Sequence, residues 1–354
     1  MIRRVVGCMT GTSIDGIDAA LVEIDGTGLA MKPTFLRGVS RDLGPVRDPL
    51  RCLAEQQPMT AGDIAGAMHA FAHVHIDAIR DLLKGEACDL ICVHGQTVFH
   101  RPPASWQLMQ PAPIAREFGV PVVFDLRAMD LAAGGQGAPI TPIADWVLFR
   151  SSVNTAIVNL GGFCNITFLP AGCTPSEVRG MDVCPCNNLL DAIARRLMGM
   201  PFDADGARAA SGTVHDEALE DLEGILASMR GRSLGTGDET GEWISRWRAH
   251  VSPENLAATA CEAIAARIGS ATPESSELYL AGGGARHRTL ASAIASAATA
   301  TVKPAASQNI PGEYREAVCF AILGALCQDR IPITLPQVTN APSPAPLSGA
   351  WIMP

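Results

Sequence analysis

Two stretches of this chain share one grammar: an apolar strand, a glycine-rich turn and a returning strand. The first runs through Val5-Val6-Gly7-Cys8-Met9-Thr10, turns at Gly11-Thr12-Ser13-Ile14-Asp15-Gly16 and returns through Ala19-Ala20-Leu21-Val22-Glu23-Ile24. The second runs through Thr155-Ala156-Ile157-Val158-Asn159-Leu160, turns at Gly161-Gly162 and returns through Cys164-Asn165-Ile166-Thr167-Phe168-Leu169. One such hairpin opening each half of the chain implies an internally duplicated fold that grips phosphates. Glycine lets backbone N–H groups close around an anion, and the hydroxyls of Thr12 and Ser13 can donate to phosphoryl oxygens. There is no Walker-type Gly-Lys-Ser/Thr. A phosphate would therefore be held by backbone and hydroxyl donors with a divalent metal, which Asp15 or Asp18 would face through water. An Asp-Gly turn between apolar runs also makes an ordinary hairpin, and the first stretch alone does not separate the two readings.

A chain of 354 residues, 47% of them hydrophobic, is long enough for two domains and a large core. A net charge of −9 without a long Lys/Arg run argues against nucleic acid or an anionic membrane as the main partner. The eleven cysteines are an odd number without a paired framework, and Cys88, Cys92, Cys164 and Cys319 lie in apolar runs, which suits a reducing cytosol. The expected location is cytoplasmic. Arg3 and Arg4 precede an apolar run broken by Thr10, Ser13 and Asp15, which is no signal peptide, and no stretch is long and apolar enough to span a bilayer.

Between the hairpins, residues 60–84 read as an amphipathic helix opened by a Thr60/Asp63 capping box. His69 and His73 lie four apart on it, but the pattern lacks the remaining ligands of a zinc motif. Asp89-Leu90-Ile91-Cys92-Val93 reads as a buried strand that delivers His94-Gly95-Gln96-Thr97 at its carboxyl end, where open α/β sheets place their sites. Val120-Pro121-Val122-Val123-Phe124 repeats the arrangement and runs into Asp125-Leu126-Arg127-Ala128-Met129-Asp130. His94, Gln96, Thr97, Arg127 and Asp130 supply the donors and acceptors a polyhydroxylated ligand requires, and they would equally serve as caps and ion pairs at a domain junction. Glycine and proline crowd over residues 134–142, which places the domain boundary there. Asp182, expected at a turn before a helix over 189–197, is a candidate general base or a capping neighbour. Cys184 and Cys186 have no second cysteine pair for a metal, and the 203–213 loop lacks the closing Glu of a calcium loop. Residues 215–251 say little. A helix is expected over 255–268 and a strand over 277–281, which ends in Gly282-Gly283-Gly284, a turn open to a nucleotide base or ribose. The last helix, over 313–327, carries Glu316, and the tail from Pro332 is expected to be mostly extended.

The order of these pieces resembles the actin-like ATPase and sugar kinase superfamily. Within it the wording resembles the anhydro-N-acetylmuramic acid kinases over nearly the whole chain. The resemblance is carried by Met9-Thr10-Gly11-Thr12-Ser13-Ile14-Asp15-Gly16-Ile17-Asp18, by His94-Gly95-Gln96-Thr97 with His100-Arg101-Pro102, and by Asp125-Leu126-Arg127 with the run 130–139. It continues through the run 159–167, Asp205-Gly206, Gly282-Gly283-Gly284-Ala285, and Glu316-Ala317 with Phe320-Ala321.

The resemblance implies a duplicated actin-like (ribonuclease H-like) α/β fold, with a nucleotide and substrate cleft between two lobes. The lobes would be residues 1–133 joined by 340–354, and residues 134–339. It implies ATP with Mg²⁺, the magnesium met by Asp15 and Asp18 through water. Phosphate and nucleotide would be met by Gly11, Thr12, Ser13, Asp15, Gly16, Asp18, Asn159, Gly161, Gly162, Asn165, Gly282, Gly283 and Gly284. The amino sugar would be met by His94, Gln96, Thr97, Arg127, Asp130 and Glu316, with Asp182 as the base that activates water. The implied reaction opens 1,6-anhydro-N-acetylmuramic acid and phosphorylates O6, in peptidoglycan recycling; a homodimer is compatible with it. Two departures stand out. Val183-Cys184-Pro185-Cys186 replaces the family's Thr-Gly-Pro-Gly, and Arg286-His287 replaces the usual His-Asn. If either glycine position needs positive φ, cysteine there costs roughly 1 kcal/mol or more and projects a side chain towards the site. A pseudokinase or regulatory protein of the same fold is the alternative this opens.

Overall fold

The first hairpin is apolar at its centre and folds as expected. Strand β1 (Ile2–Thr10) pairs antiparallel with β2 (Gly16–Asp25), with Gly7 opposite Ala20 and Met9 opposite Asp18. The computed structural model describes residues 1–11, 13–229, 234 and 240–354, so Thr12 of the expected phosphate turn lies outside the described residues. The described chain forms two units: Met1–Phe149 with Thr174–Val178 and Glu313–Pro354, and Arg150–Cys173 with Arg179–Gly312.

In the first unit β3 (Lys32–Asp42) continues the antiparallel meander beside β2. The Ala61–Leu83 helix, opened by the expected Thr60/Asp63 capping box, then carries the chain back. It sets β4 (Leu90–Val93) parallel to β1 on the other side. A separate two-stranded hairpin follows, β5 (Gln96–Arg101) with β6 (Ala104–Leu108), and then β7 (Val122–Phe124) pairs parallel with β4. Neighbour by neighbour the order is β3-β2-β1-β4-β7.

The second unit repeats that order. Strand β8 (Thr155–Leu160) pairs antiparallel with β9 (Phe163–Leu169), which pairs antiparallel with β10 (Arg179–Pro185). On the other side β11 (Glu277–Ala281) lies parallel to β8, and β12 (Thr301–Pro304) parallel to β11. The sheet reads β10-β9-β8-β11-β12, the same sequence of parallel and antiparallel neighbours as in the first unit. Each sheet is thus a ribonuclease H-like meander followed by two parallel strands. The duplication expected from two hairpins is present in full. Asp182, expected at a turn, instead stands within β10. Residues 215–251 include the helices Asp216–Ser228 and Gly241–Trp247, joined where buried Trp243 donates from Nε1 to Ala218 O at 3.0 Å.

The chain then returns to the first unit. Its Arg315–Gln328 helix is buried almost all round, and a short helix (Pro336–Thr339) and β13 (Ala350–Ile352), antiparallel to β7, interrupt the extended tail. This differs from the expectation that only 340–354 joins the first lobe and that the lobes divide at 133/134. Close approach explains the difference. A Cβ on Gly7 would lie 2.0 Å from Ala317 O and 2.4 Å from Ala321 N, and one on Gly324 would lie 2.6 Å from Cys92 Cβ. Only a helix with small residues at those positions can lie flat on β1 and β4. Arg315 at its start is paired with Asp145 of the Pro142–Phe149 helix, both buried, so that helix belongs to the same unit.

Candidate active site

In the first unit the polar strand ends collect around the β1–β2 turn. Ile14 N–H donates to Gly11 O at 3.2 Å, and Ser13 Oγ donates to Asp15 Oδ1 at 2.9 Å. Ile14 is a buried β-branched residue at φ +54°, a strained conformation that the surrounding turn must hold. A Cβ on Gly16 would lie 2.8 Å from Arg41 O, so the turn needs glycine there. One residue pair along β2, Asp18 accepts from Ser40 Oγ at 2.5 Å. Glu316 stands in the first turn of the Arg315–Gln328 helix; burial pushes its carboxyl up, Arg315 opposes this, and the Asp18 and Asp145 charges add to the rise. Asp18 and Glu316 are therefore close enough to sense each other.

Gln96 is fully buried and donates from Nε2 to Gly11 O at 3.2 Å, which ties β5 to the turn. Its Oε1, and Oγ1 of buried Thr10, have no hydrogen-bond partner among the described residues. Thr97 Oγ1 accepts from Gln107 Nε2 at 3.4 Å. His94 donates from Nδ1 to Gly95 O at 2.9 Å and accepts at Nε2 from Arg127 Nε at 3.0 Å, an arrangement only a neutral imidazole can make. Burial, with Arg127 second, holds its pKa well below the ordinary histidine range.

Arg127 also donates to Gly137 O at 2.6 Å. Asp130 is fully buried, and its two oxygens accept from Gly137 N–H at 2.7 Å and Thr339 Oγ1 at 2.8 Å. These two residues, expected to meet sugar, brace the glycine-rich segment 134–139. The Asp130 carboxylate also packs against Gly135, whose Cβ would lie 2.2 Å from Oδ2, so glycine is required there.

In the second unit register aligns three predicted positions in one row: Asp182 lies opposite Asn165 and Asn165 opposite Asn159, and beside Asn159 stands Ala281, which leads into Gly282. Directly opposed residues share a sheet face. Asp182 stands at an irregularity in β10, partly exposed, and its Oδ2 accepts from Leu234 N–H at 3.0 Å. Oδ1 of Asn159, a buried residue, has no partner among the described residues. Gly282 takes φ +82°, and its Cβ would lie 2.8 Å from Leu160 O. A Cβ on Gly283 would find only Asn187 Nδ2 at 3.9 Å, so the turn is open at that residue.

Asn187, which sequence reasoning left without a role, organises both turns. It donates from Nδ2 to Leu160 O at 3.1 Å and from its backbone to Gly161 O at 3.0 Å, while its Oδ1 would be 2.6 Å from a Cβ on Gly284. Gly162 lies tight against Asn188, and its carbonyl accepts from Cys186 and Asn188 N–H at 2.9 and 3.1 Å. The only advance signal was an amide residue opening a helix after Pro185-Cys186.

The conditional expectation about Cys184 and Cys186 does not arise. Neither residue has positive φ, and both side chains are fully buried in the core of the second unit. Cys184 lies opposite Cys164 across β9 and β10.

Two ribonuclease H-like units, one with Asp15 and Asp18 at and after a glycine turn and one with an asparagine-aspartate row beside a triple-glycine turn, have the fold of the actin-like ATPase and sugar kinase class. The family model described as anhydro-N-acetylmuramic acid kinase matches residues 3–353, and the chain belongs to that family of ATP-using phosphotransferases. It is 36% identical to the anhydro-N-acetylmuramic acid kinase of Salinibacter ruber, over 98% of this chain and 95% of that protein. It is likewise 36% identical to the one of Bordetella pertussis, over 96% and 93%. A ROK family glucokinase structure from Streptomyces griseus is 15% identical, covers 91% of this chain and 99% of its own, and superposes with a TM-score of 0.41. No helix among the described residues is long and apolar enough to cross a membrane.

Proposed function

We propose that the chain consumes ATP and water to convert 1,6-anhydro-N-acetylmuramic acid into N-acetylmuramic acid 6-phosphate, the salvage step for sugar released by peptidoglycan turnover. The observation that carries this reading is the family match over residues 3–353 with the Asp182–Asn165–Asn159 row intact. Asp182 takes a proton from water, the hydroxide adds to C1, the C1–O6 bond breaks, and O6 takes the γ-phosphoryl group as ADP leaves. The Leu234 N–H, donating to Asp182 Oδ2, fixes the orientation of that carboxylate.

The turn Gly11–Gly16 and the Asn159–Asn165 hairpin offer backbone and amide donors to phosphate, and the open Gly282–Gly284 turn offers bare backbone to the adenosine. Gln96, with Oε1 unpartnered, Thr97, the exposed part of Arg127 and Glu316 are the sugar contacts, while Asp130 and His94 hold their neighbours in place. Among the described residues no three His, Cys, Asp or Glu side chains converge to hold a metal unaided. Asp15 and Asp18 nevertheless fit Mg²⁺, which takes one or two carboxylates and completes its shell with water and phosphate oxygens. When bound, Mg²⁺ neutralises triphosphate charge.

The test is incubation with the anhydro sugar, ATP and magnesium, followed by mass spectrometry of the products. A product heavier by both water and a phosphoryl group is expected. Hydrated sugar without phosphate, or ADP without sugar phosphate, would overturn the reading.

A further inference from the structure

The triple-glycine turn, held on one side by Asn187, leads directly into a helix that one imidazole caps. His287 follows the turn Gly283–Arg286 and precedes the ten-residue Arg288–Ala297 helix. Its backbone N–H donates to Gly284 O at 3.0 Å, which closes the turn, and its ring Nδ1 accepts from Leu290 N–H at 3.2 Å, capping the helix. That acceptance places the ring proton on Nε2, which faces Asp203 Oδ2 at 3.6 Å. Asp203 is itself committed, accepting from Arg208 and Ala209 N–H, each at 2.9 Å.

The ring rests on bare backbone. Gly206 takes φ +73°, and a Cβ there would lie 2.5 Å from His287 Nδ1. Thr289 Oγ1 donates to Gly206 O at 2.8 Å beside it. The titratable groups facing the ring are Asp203 and Asp205 from this loop and, from the Pro253–Ala271 helix, Cys261, whose Sγ is 4.0 Å from Nδ1 and which has Glu262 beside it. Burial pushes the Cys261 thiol up, so it stays neutral. Burial also draws His287 below the ordinary histidine range, while Asp203 and Asp205 oppose this.

We infer that His287 is a positioning residue for nucleotide: neutral, it holds the Gly282–Gly284 turn in shape, and protonated at Nδ1 it releases the cap and weakens ATP binding. The reason is that protonation replaces an acceptor with a donor pointed at the Leu290 N–H. An asparagine cap cannot titrate; a histidine cap can. The inference rests on the reading that this turn borders the adenosine.

The experiment measures KM for ATP and kcat from pH 8 to pH 5 in the parent, His287→Asn, His287→Phe and Gly283→Leu. Asparagine keeps an acceptor that does not titrate, so the ratio of parent to His287→Asn KM should climb about fivefold as pH falls, with the kcat ratio flat. The titration of ATP itself cancels in that ratio. His287→Phe fills the volume without an acceptor and should raise KM about fivefold at every pH. A flat KM ratio, or a change confined to kcat, overturns the inference. Gly283→Leu separates the two levels. If it raises KM for ATP while the His287 ratio stays flat, only the inference fails; if it leaves KM unchanged, nucleotide does not border the turn and both fail.

Discussion

At the scale of single residues, Asp182 and the two cysteines carry the sharpest expectations. Asp182→Asn keeps an oxygen to accept the Leu234 N–H, so the fold and ATP binding should persist. The amide cannot take the water proton, and loss of a general base lowers rates by ~10²- to 10⁴-fold. Ring opening and phosphorylation should fall together in a coupled product assay; near-parent turnover would remove Asp182 from the role of base. Cys184 and Cys186 teach the opposite lesson. A glycine pattern suggests a backbone requirement, yet here the chain adopts ordinary φ and packs both thiols into the core. Restoring glycine at Cys186 should therefore cost about 2 kcal/mol, from a lost buried side chain and a looser unfolded chain, and leave kcat unchanged. Denaturant melts would expose an error as a gain in stability. Asp130 shows what composition could not reveal: a carboxylate after a strand gives no sign that it will accept from Gly137 and Thr339.

At the scale of elements, what was legible was what neighbouring residues decide. The capping box at Thr60, the two hairpins and the strand Glu277–Ala281 all rest on signals within a few residues. The placement of the Arg315–Gln328 helix was not legible, because it is set by contact with strands far away in sequence. Its small residues Ala317, Ala321 and Gly324 are uninformative until Gly7 and Cys92 are seen beneath them. Gly7→Ala tests that packing. The added methyl meets backbone, which cannot rotate away, so the helix must lift from β1 at a cost near the top of the usual 1–3 kcal/mol range for overpacking, about 3 kcal/mol. A melting temperature within a degree of the parent would mean that the helix does not lie so close.

At the scale of the whole chain, buried histidines make the first unit the acid-sensitive one. His75 is fully buried; its pKa is lowered to about 4 by burial, and the Phe71 carbonyl that accepts its Nδ1–H at 3.0 Å opposes the shift. His100 is also lowered to about 4, by burial and then Arg127, and His94 is lowered well below its ordinary value. All three belong to the first unit, whereas His287, also lowered, belongs to the second. A base with a depressed folded pKa binds fewer protons folded than unfolded, so stability rises with pH between the two values and is lost as pH falls from about 6.5 towards 4. For His75 alone the loss across that window is about 3 kcal/mol. The lowered carboxylates Asp42, Asp63, Glu86, Glu177, Glu277 and Asp329 act mainly below this window, and the raised Asp125 and Glu316 act with the opposite sign. Calorimetry between pH 7.5 and 5 should show the transition that contains the first unit moving down in temperature. His75→Leu should flatten that dependence, since it keeps an apolar group against Phe71 and has nothing to protonate. If parent and variant show the same pH slope, His75 is either protonated when folded or uncoupled from unfolding, and the acid sensitivity must come from His94 and His100, both beside Arg127, instead.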